Sequence, residues 1–119
     1  MLTVTTNKST YAVGEAVQIT LTLTNTTSST QTYNFNTSQR YDIVVQKGGR
    51  EVWRWSNGQF FLQVLGTLTL QPGESVTYTE TWDQTNNNGN QVAAGTYTIV
   101  GSITSSNNPQ QASTTITIQ

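Results

Sequence analysis

Residues Tyr41–Trp55 read YDIVVQKGGREVWRW, and how this stretch pairs with itself decides what core the chain can build. Two β-rich runs flank Gly48-Gly49, the clearest hairpin signal in the sequence. Two of the three tryptophans lie here, Trp53 and Trp55. With Arg40 just before the stretch, so do four of the five basic residues (Arg40, Lys47, Arg50, Arg54). Two registers are open. A two-residue loop sets Val45 opposite Val52 and Ile43 opposite Arg54, which mixes apolar and charged residues on each face. A three-residue loop, Gly48-Gly49-Arg50, sets Val45 opposite Trp53 and Ile43 opposite Trp55. Tyr41, Ile43, Val45, Trp53 and Trp55 then share one face, and Asp42, Val44, Gln46, Val52 and Arg54 the other. Binary patterning favours the second register. It makes Trp53 and Trp55 core anchors rather than an exposed aromatic platform, and it leaves the basic residues on a solvated hairpin.

Outward from the hairpin, the same period of two recurs. Val17 to Leu23 puts Val17, Ile19, Leu21 and Leu23 on one face and Gln18, Thr20 and Thr22 on the other, a half-buried antiparallel strand. Leu2 to Thr6, Thr32 to Asn36, Thr67 to Leu70, Ser75 to Trp82, Thr96 to Ile103 and Thr114 to Ile118 read as further strands. Trp82 and Tyr97 join the inward set. Lys8 to Glu15, Asn25 to Thr30, Gln71 to Glu74 and Ser105 to Gln111 read as turns; Pro72 and Gly73 suit a tight one. Glu80 falls in the apolar phase of its strand, so it lies past the core's edge or a bulge resets the register. Phe60 to Leu65 fits neither period. Asp83 to Ala94 is the longest stretch without a pattern. No helical periodicity of usable length occurs. The expectation is an all-β protein, an antiparallel β-sandwich of about eight or nine strands forming one domain over residues 1–119.

Composition narrows function mainly by exclusion. Charged residues make up 9% of the 119, against roughly 25% in an ordinary soluble protein. Thr, Asn, Gln and Ser take their place. A formal net charge of −1 gives no footprint for nucleic acid. No apolar run approaches the roughly 20 residues that span a bilayer as a helix, so no membrane insertion is expected. Met1 leads straight into the alternating LTVTT, and no leader peptide is expected. With no histidine and no cysteine, a Ser-His-Asp triad, a Cys-His pair and the usual zinc sites are excluded. Six scattered acids offer no paired carboxylates, so no enzyme is expected. The loop with Asp83, Asn86, Asn87, Asn88, Gly89 and Asn90 has the composition of a calcium loop. It offers one carboxylate where several are wanted, and the ligand spacing is not met. No metal and no cofactor are expected.

Several pieces together resemble a known family: LTLTNTT, YDIVV, EVWRWS, Phe61 with Gln63, LTLQPGESVTYTETW and AGTYTI, in that order from Val17 to Ile103. They are similar to the BsuPI family, the intracellular proteinase inhibitor domains of Bacillus and its relatives. The resemblance implies an immunoglobulin-like sandwich and, as partner, a subtilisin-type serine protease. An inhibitor would present an extended loop to the protease cleft. Asn57, Gly58, Gln59, Phe60, Phe61 and Leu62 form one candidate, since subtilisin-type pockets accept Phe or Leu. Asp83 and the Asn86–Asn90 run form the second. The alternative function is a structural or adhesive module that self-associates, suggested by Thr-rich strands without edge lysines. The resemblance points to the cytoplasm and the composition to an extracellular or cell-envelope setting.

Overall fold

The alternation becomes ten strands in the computed structural model, which describes residues 1–119. They are β1 (Leu2–Thr6), β2 (Thr10–Tyr11), β3 (Val17–Thr24), β4 (Gln31–Phe35), β5 (Tyr41–Lys47), β6 (Arg50–Arg54), β7 (Gly66–Leu70), β8 (Ser75–Trp82), β9 (Gly95–Ile103) and β10 (Gln110–Ile118). One sheet runs β1-β3-β8, the other β2-β10-β9-β5-β6, and β4 and β7 pair by themselves. The result is an all-β, immunoglobulin-like sandwich. The count exceeds eight or nine because β2 lies inside the region read as a turn, where it pairs in parallel with the end of β10. Tyr11 is what holds it: the ring is buried, and its hydroxyl donates to Asn7 Oδ1 at 2.7 Å.

Val17, Ile19, Leu21 and Leu23 of β3 are fully buried between the sheets. Each such side chain contributes roughly 1.5–3 kcal/mol on leaving water. The facing sheet comes close because residue 101 is glycine. A Cβ there would sit 2.7 Å from Val4 Cγ2 and 3.0 Å from Leu21 Cγ. β3 and β8 pair without a break from Val17–Trp82 to Thr24–Ser75. Glu80 therefore stays in the apolar phase with no bulge. Its carboxylate is accommodated by the Tyr41 hydroxyl, which donates to it.

The hairpin combines the two expected registers. Lys47 pairs with Arg50, so the loop is the two residues Gly48-Gly49, both with positive φ. Such a turn matches the twist of the strands it joins. Past Gln46–Glu51 the register shifts, and Val45 then pairs with Trp53. Val52 is the extra residue of a bulge. The three-residue loop is thus corrected, while the Val45–Trp53 and Ile43–Trp55 relation it was invoked for stands: Trp55 N–H donates to Ile43 O at 2.8 Å.

Buried amides organise the turns. Asn25 Nδ2 donates to Ser29 O and Leu70 O at 2.8 and 2.9 Å, and its Oδ1 accepts from Thr27. This ties the end of β7 to the turn before β4. Gln84, buried at φ 64°, donates to Ala12 O and Glu15 O and accepts from Gly14 N–H and Gln91 Nε2. The stretch after Asp83 is therefore anchored, with a bridge between Thr85 and Gln91.

The edges differ. Asn87 covers β6: its N–H donates to Val52 O at 3.0 Å and its Oδ1 accepts from Arg54 N–H at 2.9 Å. Asn107 covers β4 in the same way, through Asn34 N–H and Thr32 O. β8 has no such cover. Asn25 N–H bonds Glu74 O, and alternation from that pair aims the backbone groups of Thr77, Thr79 and Thr81 away from β3.

Candidate functional site

Hairpin and following segment are joined at Asp42. Its buried carboxylate accepts from Arg54 Nη1 at 2.8 Å, Ser56 Oγ at 2.7 Å, Ser56 N–H at 3.2 Å and Ile43 N–H at 2.9 Å. Its hydrogen bond, and the one to Glu51, raise the Arg54 pKa. Asn57 N–H to Arg54 O and Gln59 N–H to Ser56 O then close a tight turn, with Gly58 at φ 80°.

From this turn the chain runs as Phe60 to Leu65 without regular structure and with its apolar side chains in solvent. Phe60 is 98% exposed, Leu65 85% and Leu62 69%. Two anchors hold the run. The Phe61 ring packs on Trp55, centroids 5.9 Å apart, and Trp55 stacks on Tyr41 and Tyr41 on Tyr78, at 4.7 and 4.5 Å. Leu62 is tied through its backbone: its N–H donates to Ser38 Oγ at 2.8 Å and its carbonyl accepts from Ser38 N–H at 2.9 Å. Burial pushes the Tyr41 and Tyr78 phenols up, Tyr41 further because its hydroxyl meets the Glu80 carboxylate. The run ends at Gly66, where a Cβ would meet the Arg40 guanidinium. That guanidinium lies 4.5 Å over the Phe35 ring.

The second candidate loop lies elsewhere, against the hairpin tip. Asp83 Oδ1 accepts from Thr85, and Asn86 Oδ1 accepts from the N–H groups of Asn88 and Asn90. Asn87 Nδ2 donates to Glu51. The Asn86 carbonyl is thus spent within the loop and the Asn87 amide on β6. Between loop and tip is a cleft of about 550 Å³, with Lys47, Arg50, Asn88, Val52 and Val92 among its lining. Lys47 Nζ sits 5.3 Å over the Tyr97 ring.

Of the four aromatic anchors, Trp82 and Tyr97 are buried, and Trp53 and Trp55 are half-buried against the core. Asn57, Gly58, Gln59, Phe60 and Leu62 are exposed and Phe61 half-buried; in the other loop Asn86 is half-buried and Asp83, Asn87, Asn88, Gly89 and Asn90 are exposed. Sequence reasoning missed Ser38, whose spacing from Leu62 carries no local signal. It also missed the buried role of Asp42, which the alternation had merely put on the hairpin's polar face.

Residues 4–108 match the profile of the family described as BsuPI, intracellular proteinase inhibitor. The chain belongs to the BsuPI family. The role described for that family is inhibition of a proteinase, and a proteinase is the partner that role requires. No curated protein matches this BsuPI chain. Among solved structures it is similar to the sporulation control protein Spo0M of Bacillus subtilis, at 17% identity and TM-score 0.59 over 99% of this chain and 48% of that one. It is also similar to the CARDB domain of a Pyrococcus furiosus protein, at 16% identity and TM-score 0.51 over 99% and 92%. A β-glucosidase of Erythrobacter marinus matches at 14% identity and TM-score 0.54, over 100% of this chain and 15% of the enzyme. The BsuPI chain therefore spans a small part of the enzyme and about half of Spo0M. At these identities the likeness is one of fold.

Proposed function

We propose that this BsuPI chain inhibits a subtilisin-type serine protease and that residues 57–65 are what it offers to the protease cleft. The observation that carries this reading is the exposed apolar run beginning at Phe60, fixed from behind by Phe61 on Trp55 and by Leu62 on Ser38. An apolar side chain in solvent is unfavourable for a lone molecule and useful on a binding loop. Fixing the loop beforehand lowers the ordering entropy that binding costs. The Asp83–Asn90 loop suits this task less, because Asn87 in its middle is already committed to β6. The test is titration of subtilisin, assayed on a small peptide substrate. Activity should fall linearly to near zero at one equivalent. Full activity at several equivalents would reject the reading.

A second reading, self-association as a structural module, is favoured by one observation: the bare edge of β8, with outward backbone groups at Thr77, Thr79 and Thr81 and no lysine to deter a strand. It predicts a mass that rises with concentration in light scattering. A constant monomer mass into the millimolar range removes it.

A further inference from the structure

A serine protease attacks the carbonyl of one residue, whose side chain must enter a pocket and whose own N–H and C=O must be free to bond the enzyme. Four apolar residues of the exposed run compete for that position, Phe60, Leu62, Val64 and Leu65, and Val64 is the least exposed of them at 51%. Leu62 is unsuited, because Ser38 occupies both its N–H and its carbonyl. Leu65 directly precedes β7, whose first residue pairs with Phe35 beneath the Arg40 guanidinium, so no free chain follows it. Phe60 has the most exposed side chain of the four and no intramolecular backbone hydrogen bond.

Resting on the inhibitor reading above, we propose that Phe60–Phe61 is the bond presented to the protease, and that Trp55 and Ser38 hold Phe61 and Leu62 so that the cut bond re-forms. The protease serine Oγ adds to the Phe60 carbonyl carbon and its proton passes to the protease histidine. The C–N bond to Phe61 then breaks, that proton goes to the Phe61 nitrogen, and Phe60 is left as an ester on the serine. In a substrate the amine departs and water replaces it. Here the Phe61 ring stays packed on Trp55 and Leu62 stays bonded to Ser38, so the amine remains over the ester. Attack by this amine restores the peptide bond and the serine hydroxyl. A nucleophile held in place reacts with an effective molarity of order 10⁵ M or more, so religation outruns hydrolysis. Inhibition follows from slow net turnover of a tightly held bond.

The experiment combines subtilisin inhibition with intact-mass analysis of the full chain. A single early cut is expected, between Phe60 and Phe61. The two fragments should elute together under native conditions and part in denaturant. Phe60→Asp, at an exposed position, should leave the melting temperature unchanged and weaken inhibition by about 100-fold, as loss of a binding hot spot does. Ser38→Ala should still inhibit at first but be consumed about tenfold faster, since it frees one side of the leaving amine. Phe61→Ala checks the other anchor, with its fold verified by circular dichroism. Undiminished inhibition by Phe60→Asp, or a first cut elsewhere, overturns this assignment and leaves the inhibitor reading to another loop. A wild-type chain that is cut at Phe60–Phe61 but never inhibits rejects the inhibitor reading and the religation step together, and keeps only the presented bond. Ser38→Ala and Phe61→Ala chains consumed no faster than wild type would overturn the anchoring.

Discussion

Val45 of β5 faces Trp53 of β6 although only Gly48 and Gly49 turn the chain between the strands, because Val52 absorbs one residue as a bulge. The bulge is what sends Trp53 and Trp55 inward. Deleting Val52 would leave an unbroken ladder in which Trp53 follows Glu51 directly and still faces Val45, so both rings keep their inward direction. The expected outcome is a folded chain with unshifted tryptophan emission, read by urea melts and fluorescence. A red-shifted emission with a loss of about 3 kcal/mol, the scale of removing one large aromatic from a core, would mean that the turn does not hold the register of Gln46 and Glu51.

Removing the buried Asp42 carboxylate should be costly. The carboxylate receives four hydrogen bonds from three residues, and it joins the hairpin to Ser56 and so to the exposed run. Asp42→Ala leaves Ser56 and Ile43 donors without a partner, at roughly 2–4 kcal/mol in all. Arg54 adds little to that figure, since its side chain is 41% exposed and water can replace the ion pair. Chemical denaturation measures the loss, and proteolysis before residue 60 would show the loosened junction.

Gly101→Ala adds one methyl group where Val4 and Leu21 leave no room for it. Overpacking of this kind costs about 1–3 kcal/mol. The melting temperature should fall, and a paired Val4→Ala substitution should recover part of it. Additive losses would show that the two sites do not touch.

Alkaline pH should unfold the molecule through its tyrosines. Burial holds the Tyr33, Tyr41 and Tyr78 phenols above their ordinary value of 10.0, and the Glu80 carboxylate raises Tyr41 further. Below about pH 10 these phenols are protonated in both states, and the stability they supply is intact. As pH rises above that, the unfolded chain releases its phenolic protons first, so stability falls until the folded-state values are passed. Tyr41→Phe should lower stability near neutrality by about 0.5–1.5 kcal/mol, for the lost hydrogen bond. It should also flatten the alkaline decline. Melting temperature followed from about pH 8 to pH 12 tests both. An equal slope in wild type and variant would exclude Tyr41 as a contributor.

The strands were legible because one face of each is apolar, and β3 is the plainest case: four fully buried residues at intervals of two. The inward turn of Trp53 was legible for the same reason. Its cause was not, because a glycine pair allows loops of either length and a bulge at Val52 leaves no mark in composition. Pairing of β4 with β7 was also hidden, since Asn25, which draws them together, reads as an ordinary turn residue. Gln84 misled in the same direction: a buried amide with every hydrogen bond satisfied looks in sequence like one more polar residue in a loop. For the candidate site, the apolar run was visible as a failure of both periods. That failure reflects side chains facing solvent instead of a core, with Phe61 alone turned in. The tether at Ser38 pairs residues 24 apart, and no local pattern foretells it.

Asn87 and Asn107 close the outer edges of β6 and β4 with hydrogen bonds and not with charge. Lysines that guard an edge act by repulsion, and dissolved ions screen repulsion within about 10 Å at 0.1 M and 3 Å at 1 M. An amide seated on a strand is indifferent to that screening. The two closed edges should therefore remain closed from fresh water to brine, and the edge left open at β8 stands open across the same range of salinity.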